Sequence, residues 1–67
     1  MNEEAPRKAI KTVLEQRCGK NWEVYLANFV DHEVMDSDLK YLTDEDWREL
    51  IPKIGPRNRF KKWAEGL

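Results

Sequence analysis

At 67 residues, 40% hydrophobic and 37% charged, the chain is long enough for one domain of marginal stability, since a domain this small buries only about 60% of its unfolded surface. One cysteine excludes an internal disulfide, one histidine beside it makes a poor metal site, and no apolar run approaches the ~18 residues of a membrane span. A net charge of −1 removes bulk attraction to nucleic acid or anionic lipid.

Residues 1–5 are polar and expected to fray. Pro6 suits a first helical turn, and Ile10, Val13, Leu14 and Cys18 form an apolar stripe that ends at Gly19, a C-terminal cap. Asn21 is placed to cap a second helix, on which Trp22, Tyr25, Leu26, Phe29 and Val30 fall at i, i+3, i+4, i+7 and i+8. Val34 and Met35 then plug the core, and Asp36 or Ser37 caps a short third helix carrying Leu39 and Leu42.

The stretch 43–63 organises the rest. The Thr43 hydroxyl can accept from the amide of Asp46, with the Asp46 carboxylate reaching back in a capping box. Asp44, Glu45 and Asp46 crowd the first turn, where the helix dipole favours anions. Leu42 and Trp47 have the spacing of a hydrophobic staple. A fourth helix therefore starts at Asp44, buries Trp47, Leu50 and Ile51, and stops at Pro52. After a Lys53-Ile54 linker, Gly55-Pro56 opens a fifth helix with proline in the first turn. Its face of Phe60, Trp63, Ala64 and Leu67 carries it to the chain end.

No alternating pattern, repeat or low-complexity tract competes. The expected fold is all-α, a compact bundle of five short helices in one domain spanning residues 1–67. Its expected core is Ile10, Val13, Leu14, Trp22, Tyr25, Leu26, Phe29, Val34, Leu39, Leu42, Trp47, Leu50, Ile54, Phe60, Trp63 and Leu67.

Charge is unevenly placed: residues 1–30 carry net +1, residues 31–49 net −6, and residues 53–65 net +4. Asp44 and Arg48 form an i, i+4 pair of opposite sign. Glu45 and Glu49 form one of like sign, which costs about 0.2–0.5 kcal/mol. Asp31, Glu33, Asp36 and Asp38 extend the negative surface. On the last helix Arg57 and Lys61 share a flank, and Arg57 in the first turn opposes the helix dipole. An anionic partner would relieve that opposition. Both charged stretches also read as ordinary solvated helix faces.

Cys18 and His32, the only thiol and imidazole, fall on different segments with no catalytic triad, phosphate loop or paired metal ligands beside them. The expectation is a surface histidine and a half-buried thiol, with no enzyme activity, cofactor, metal or small-molecule substrate. The unpaired cysteine points to a reducing, intracellular setting; between nucleus and cytoplasm the expectation leans slightly to the nucleus.

From about Val13 to Leu67 the chain resembles a sterile alpha motif (SAM) domain. The resemblance rests on Tyr25, Phe29, Glu33 and Val34, on Leu42, Thr43, Asp44, Glu45 and Asp46, and on Gly55, Pro56 and Arg57. The chain departs from the family pattern at Asp36, where glycine is frequent, at Trp47, where leucine is usual, and at Ile51-Pro52, which shortens the connection to the last helix. The resemblance implies a five-helix fold and a protein-interaction module that associates head to tail with itself or another SAM domain, scaffolding a transcriptional, chromatin or signalling complex. A basic end-helix surface of Lys53, Gly55, Arg57 and Lys61 would meet an acidic mid-loop surface of Asp31, Asp38, Asp44, Glu45 and Glu49. The same family implies an alternative, RNA-hairpin binding by Lys53, Arg57 and Lys61 in the manner of Smaug-like domains. The net acidity, and the lack of an exposed aromatic other than Tyr41 to stack a base, weigh against that alternative.

Overall fold

A computed structural model describes residues 5–67; residues 1–4, most of the stretch expected to fray, lie outside them. The five expected helical segments are present, four as α-helices and one as a 3₁₀ helix: α1 (Lys8–Arg17), α2 (Trp22–Asp31), the 3₁₀ helix Asp36–Tyr41, α3 (Asp44–Leu50) and α4 (Ile54–Glu65). Single 3₁₀ turns, Ala5–Arg7 and Gly19–Asn21, lead into α1 and α2, so Ala5 belongs to a structured turn. There is no strand among the described residues, and none of their helices is long and apolar enough to cross a membrane.

Helices this short leave a large share of their backbone groups without intrahelical partners, and here side chains from distant parts of the chain satisfy several of them. The Asp36 carboxylate accepts from the amides of Ala9 at 3.0 Å and Ile10 at 2.9 Å, closing the start of α1. At the other end of α1 the chain turns through Gly19 at φ 71°, as the cap expectation requires, and Arg59 Nε donates to the Arg17 carbonyl at 2.6 Å. Asn28 Nδ2 donates to the Leu50 carbonyl at 2.9 Å, which closes α3. Arg7, the only charged residue buried among those described, donates through Nε to the Val34 carbonyl at 2.9 Å.

The capping box at Thr43 forms as expected: Asp46 N donates to the Thr43 hydroxyl at 3.1 Å, and Thr43 N to the Asp46 carboxylate at 3.0 Å. Two other caps differ from expectation. Asn21 stands at the start of α2 without a side-chain hydrogen bond, because the preceding 3₁₀ turn already curls the chain into the helix. The 3₁₀ helix is capped by Asp38, whose carboxylate accepts from Met35 N at 2.9 Å; Asp36 is turned away to α1.

Phe60 sits at the centre of the core, fully buried, with ring centroids 5.5 Å from Phe29, 5.6 Å from Trp47 and 5.5 Å from Trp63. Ile10, Val13, Leu14, Tyr25, Val34, Leu39 and Leu50 complete most of the expected core, with Trp22, Leu26, Leu42 and Trp63 half-buried around it. Cys18 and Ile51, both on expected stripes, are core residues as well.

Two residues of the expected core are exposed. Ile54 is 67% exposed because α4 begins there and not at Pro56, which puts it six residues before Phe60 and about 240° around the helix from the core. Pro56 is then the third residue of α4, still inside the first turn, where amides have no carbonyl to reach. Leu67 is 73% exposed because Gly66 caps α4 through its N–H to the Trp63 carbonyl, and the chain leaves the helix before reaching the core face. Val30 and Met35 are exposed too. The Trp22-Leu26-Val30 row drifts about 40° per step away from the core, and Met35 occupies the extended position before the 3₁₀ helix.

Candidate interaction surface

Most of the charged residues singled out in the sequence lie on α3, α4 and the segments flanking them, whereas Asp31 is the last residue of α2. The α3–α4 connection is only three residues long, so the two helices lie side by side. Each exposes one flank along their common seam. Asp44, Trp47 and Arg48 from α3 and Arg57, Asn58 and Lys61 from α4 line an open cleft of about 250 Å³.

Within that cleft Lys61 Nζ donates to Asp44 Oδ1 at 2.8 Å. The expected surfaces of opposite sign thus share a border, and one member of each is the other's partner. The hydrogen bond and charge of Lys61 hold the Asp44 carboxyl below the usual carboxylate range, and the positive charges of Arg48 and Arg57 pull it in the same direction. Arg48 and Asn58 were not among the expected site residues. The i, i+4 spacings Asp44-Arg48 and Arg57-Lys61 were visible in the sequence, but only the packing of α3 on α4 brings the two pairs together.

Lys53 is the extended residue before α4, and Gly55 is its second residue; both are exposed. Gly55 has an ordinary negative φ, so no left-handed turn is required of it, and a Cβ there would come within 3.3 Å of the Arg59 guanidinium. Ile54 is exposed between these two residues, with Arg57 one turn further along the helix.

The acidic residues divide. Glu45 and Glu49 are exposed on the outward side of α3, and Glu49 also borders a shallow groove of about 270 Å³ with Asp46, His32, Val34, Leu42 and Leu50. Asp31 lines a different groove, with Trp22, Leu26 and Val30 along α2. Asp38 is engaged in its cap. Tyr41 is 74% exposed with Lys40 Nζ 5.3 Å above its ring.

His32 is exposed at the C-terminal end of α2. Cys18 is buried, more deeply than the half-buried thiol expected, with Sγ 3.6 Å from the Pro56 carbonyl. Burial raises its pKa, partly offset by the charge of Arg59. No protein-family model, curated protein or solved structure matches the chain.

Proposed function

We propose that this domain is a SAM-like protein-interaction module, joining copies of itself or a second SAM-type domain head to tail within a regulatory assembly. The basic start of α4 on one molecule docks on the acidic outward side of α3 on the next. The observation that carries this reading is Ile54, an isoleucine left two-thirds exposed beside Lys53 and Gly55 and one turn from Arg57. An apolar anchor ringed by charge is the arrangement of interfaces in which burial supplies affinity and electrostatics set orientation and on-rate. Glu45 and Glu49 supply the complementary sign, and their mutual repulsion on one helix is relieved by a cationic partner. Because the two surfaces differ, the contact is heterologous and can propagate into an open filament.

Sedimentation across concentration and salt tests the proposal. Association is expected at low salt and should weaken as ionic strength rises and the Debye length falls below about 10 Å. Glu45→Lys with Glu49→Lys blocks one surface, and Arg57→Glu blocks the other. Each blocked protein stays single, yet the two pair one-to-one when mixed, because each keeps one intact surface. A protein that remains monomeric in dilute buffer at high concentration, and ignores SAM domains offered as partners, ends the proposal. Retention of a hairpin RNA at low salt, lost in Arg57→Glu, would favour RNA binding instead.

A further inference from the structure

The α3–α4 cleft holds three cationic side chains, Arg48, Arg57 and Lys61, around a single carboxylate, Asp44. Asp44 lies on the surface, its side chain 78% exposed, and it is ion-paired with Lys61. Its place at the first position of α3 is favourable for an anion. The cap of that helix, however, is made by Thr43 and Asp46, so Asp44 is not needed to start it. It lies in a cleft whose other charged lining residues are all cationic.

We infer that Asp44 is an internal stand-in for the partner's carboxylate. The Arg48-Arg57-Lys61 cleft is an anion-exchange site in which a glutamate from the Glu45/Glu49 face of a second copy displaces Asp44 from Lys61. This rests on the head-to-tail reading and changes the part of one residue in it: Asp44 belongs to the basic surface as its competitor, not to the acidic surface as a contact. Exchange of one carboxylate for another conserves the ion pair. The net gain on assembly at this position is therefore small, and contacts around Ile54 and the steering by Arg57 decide whether association proceeds. Removing Asp44 leaves three cations without their resident anion and favours the incoming one.

The test is sedimentation equilibrium of the wild-type protein and Asp44→Asn at low salt. Asp44→Asn is expected to self-associate about two- to fivefold more tightly, the worth of one exposed ion pair. Were Asp44 a contact on the acidic surface, the same substitution would weaken association; that result, or no change, overturns the inference. Glu15→Gln, exposed on α1, alters net charge equally and is expected to give no gain. In a Lys61→Met background Asp44→Asn is expected to give none either, and a full gain in either control overturns the inference. A second arm reads the cleft without self-association: NMR of dilute protein titrated with inorganic phosphate. Signals of Arg48, Arg57 and Lys61 are expected to move at about two- to fivefold lower phosphate in Asp44→Asn than in wild type. If the protein proves monomeric, the head-to-tail proposal fails while this arm still decides the exchange site; identical titrations, or no movement, overturn it.

Discussion

Asp36 accepts the backbone N–H of Ile10 at 2.9 Å across 26 residues of chain, and that of Ala9 beside it. These are the second and third amides of α1, the two that an N-cap side chain ordinarily serves. The local cap position holds Arg7, which cannot accept and is instead buried against the Val34 carbonyl. Arg7 and Asp36 thus tie the start of α1 to the segment 34–36 with bonds running in both directions. Asp36→Ala is expected to lower stability by about 1–2 kcal/mol, a fall in Tm of roughly 4–8 °C per kcal/mol for a domain this small. Asp36→Asn should recover only part of that loss, since each carboxylate oxygen takes one amide and asparagine offers a single oxygen. Thermal melts followed by circular dichroism check both.

Glu33 is the one described non-glycine residue with positive φ, at 55°. It follows the end of α2, where Val34 N donates to the Phe29 carbonyl and Glu33 N to the Val30 carbonyl, the paired bonds of a Schellman motif. Any L side chain is strained there, and glycine is not. Glu33→Gly is therefore expected to stabilise the protein by about 0.5–1 kcal/mol, part of the relief being offset by the extra freedom glycine gives the unfolded chain. Urea unfolding should show a higher midpoint with an unchanged slope.

Phe60 touches Phe29, Trp47 and Trp63 from one fully buried position. Truncation to alanine costs about 3–5 kcal/mol, comparable to the whole stability expected of a small domain at roughly 0.05–0.15 kcal/mol per residue. Phe60→Ala should lose its cooperative unfolding transition and the near-ultraviolet signal of Trp47 and Trp63, which pack on the Phe60 ring. Phe60→Leu, which keeps most of the volume, should retain both at reduced Tm.

The Asp44 carboxyl is held low in the folded protein, first by Lys61 and then by the charges of Arg48 and Arg57. A lowered folded-state pKa contributes stability that is complete above the unfolded value and is lost as pH falls through the folded one. An NMR titration should place the Asp44 midpoint below the ordinary aspartate value. It should move up in Lys61→Met and, by screening, at high salt. A midpoint unmoved by Lys61→Met would mean that the ion pair does not persist in solution.

What the sequence determined was local: the apolar rows that fix five helical segments, the Thr43-Asp46 box, the Gly19 cap, the stop at Pro52, and most of the core from Ile10 to Phe60. Each of these depends on residues within one or two turns of one another, so spacing alone carries it. The tertiary structure decided how distant groups pair. Asp36, read as a cap for its own segment, serves α1. Arg7 and Asn28 find carbonyls 27 and 22 residues away. Ile54 turns outward because α4 starts two residues before Pro56. Asp44 and Lys61, read from the sequence onto opposite surfaces, close on each other because α3 packs along α4. Short helices leave unsatisfied ends and charged flanks, and only the folded arrangement fixes which distant side chain reaches them.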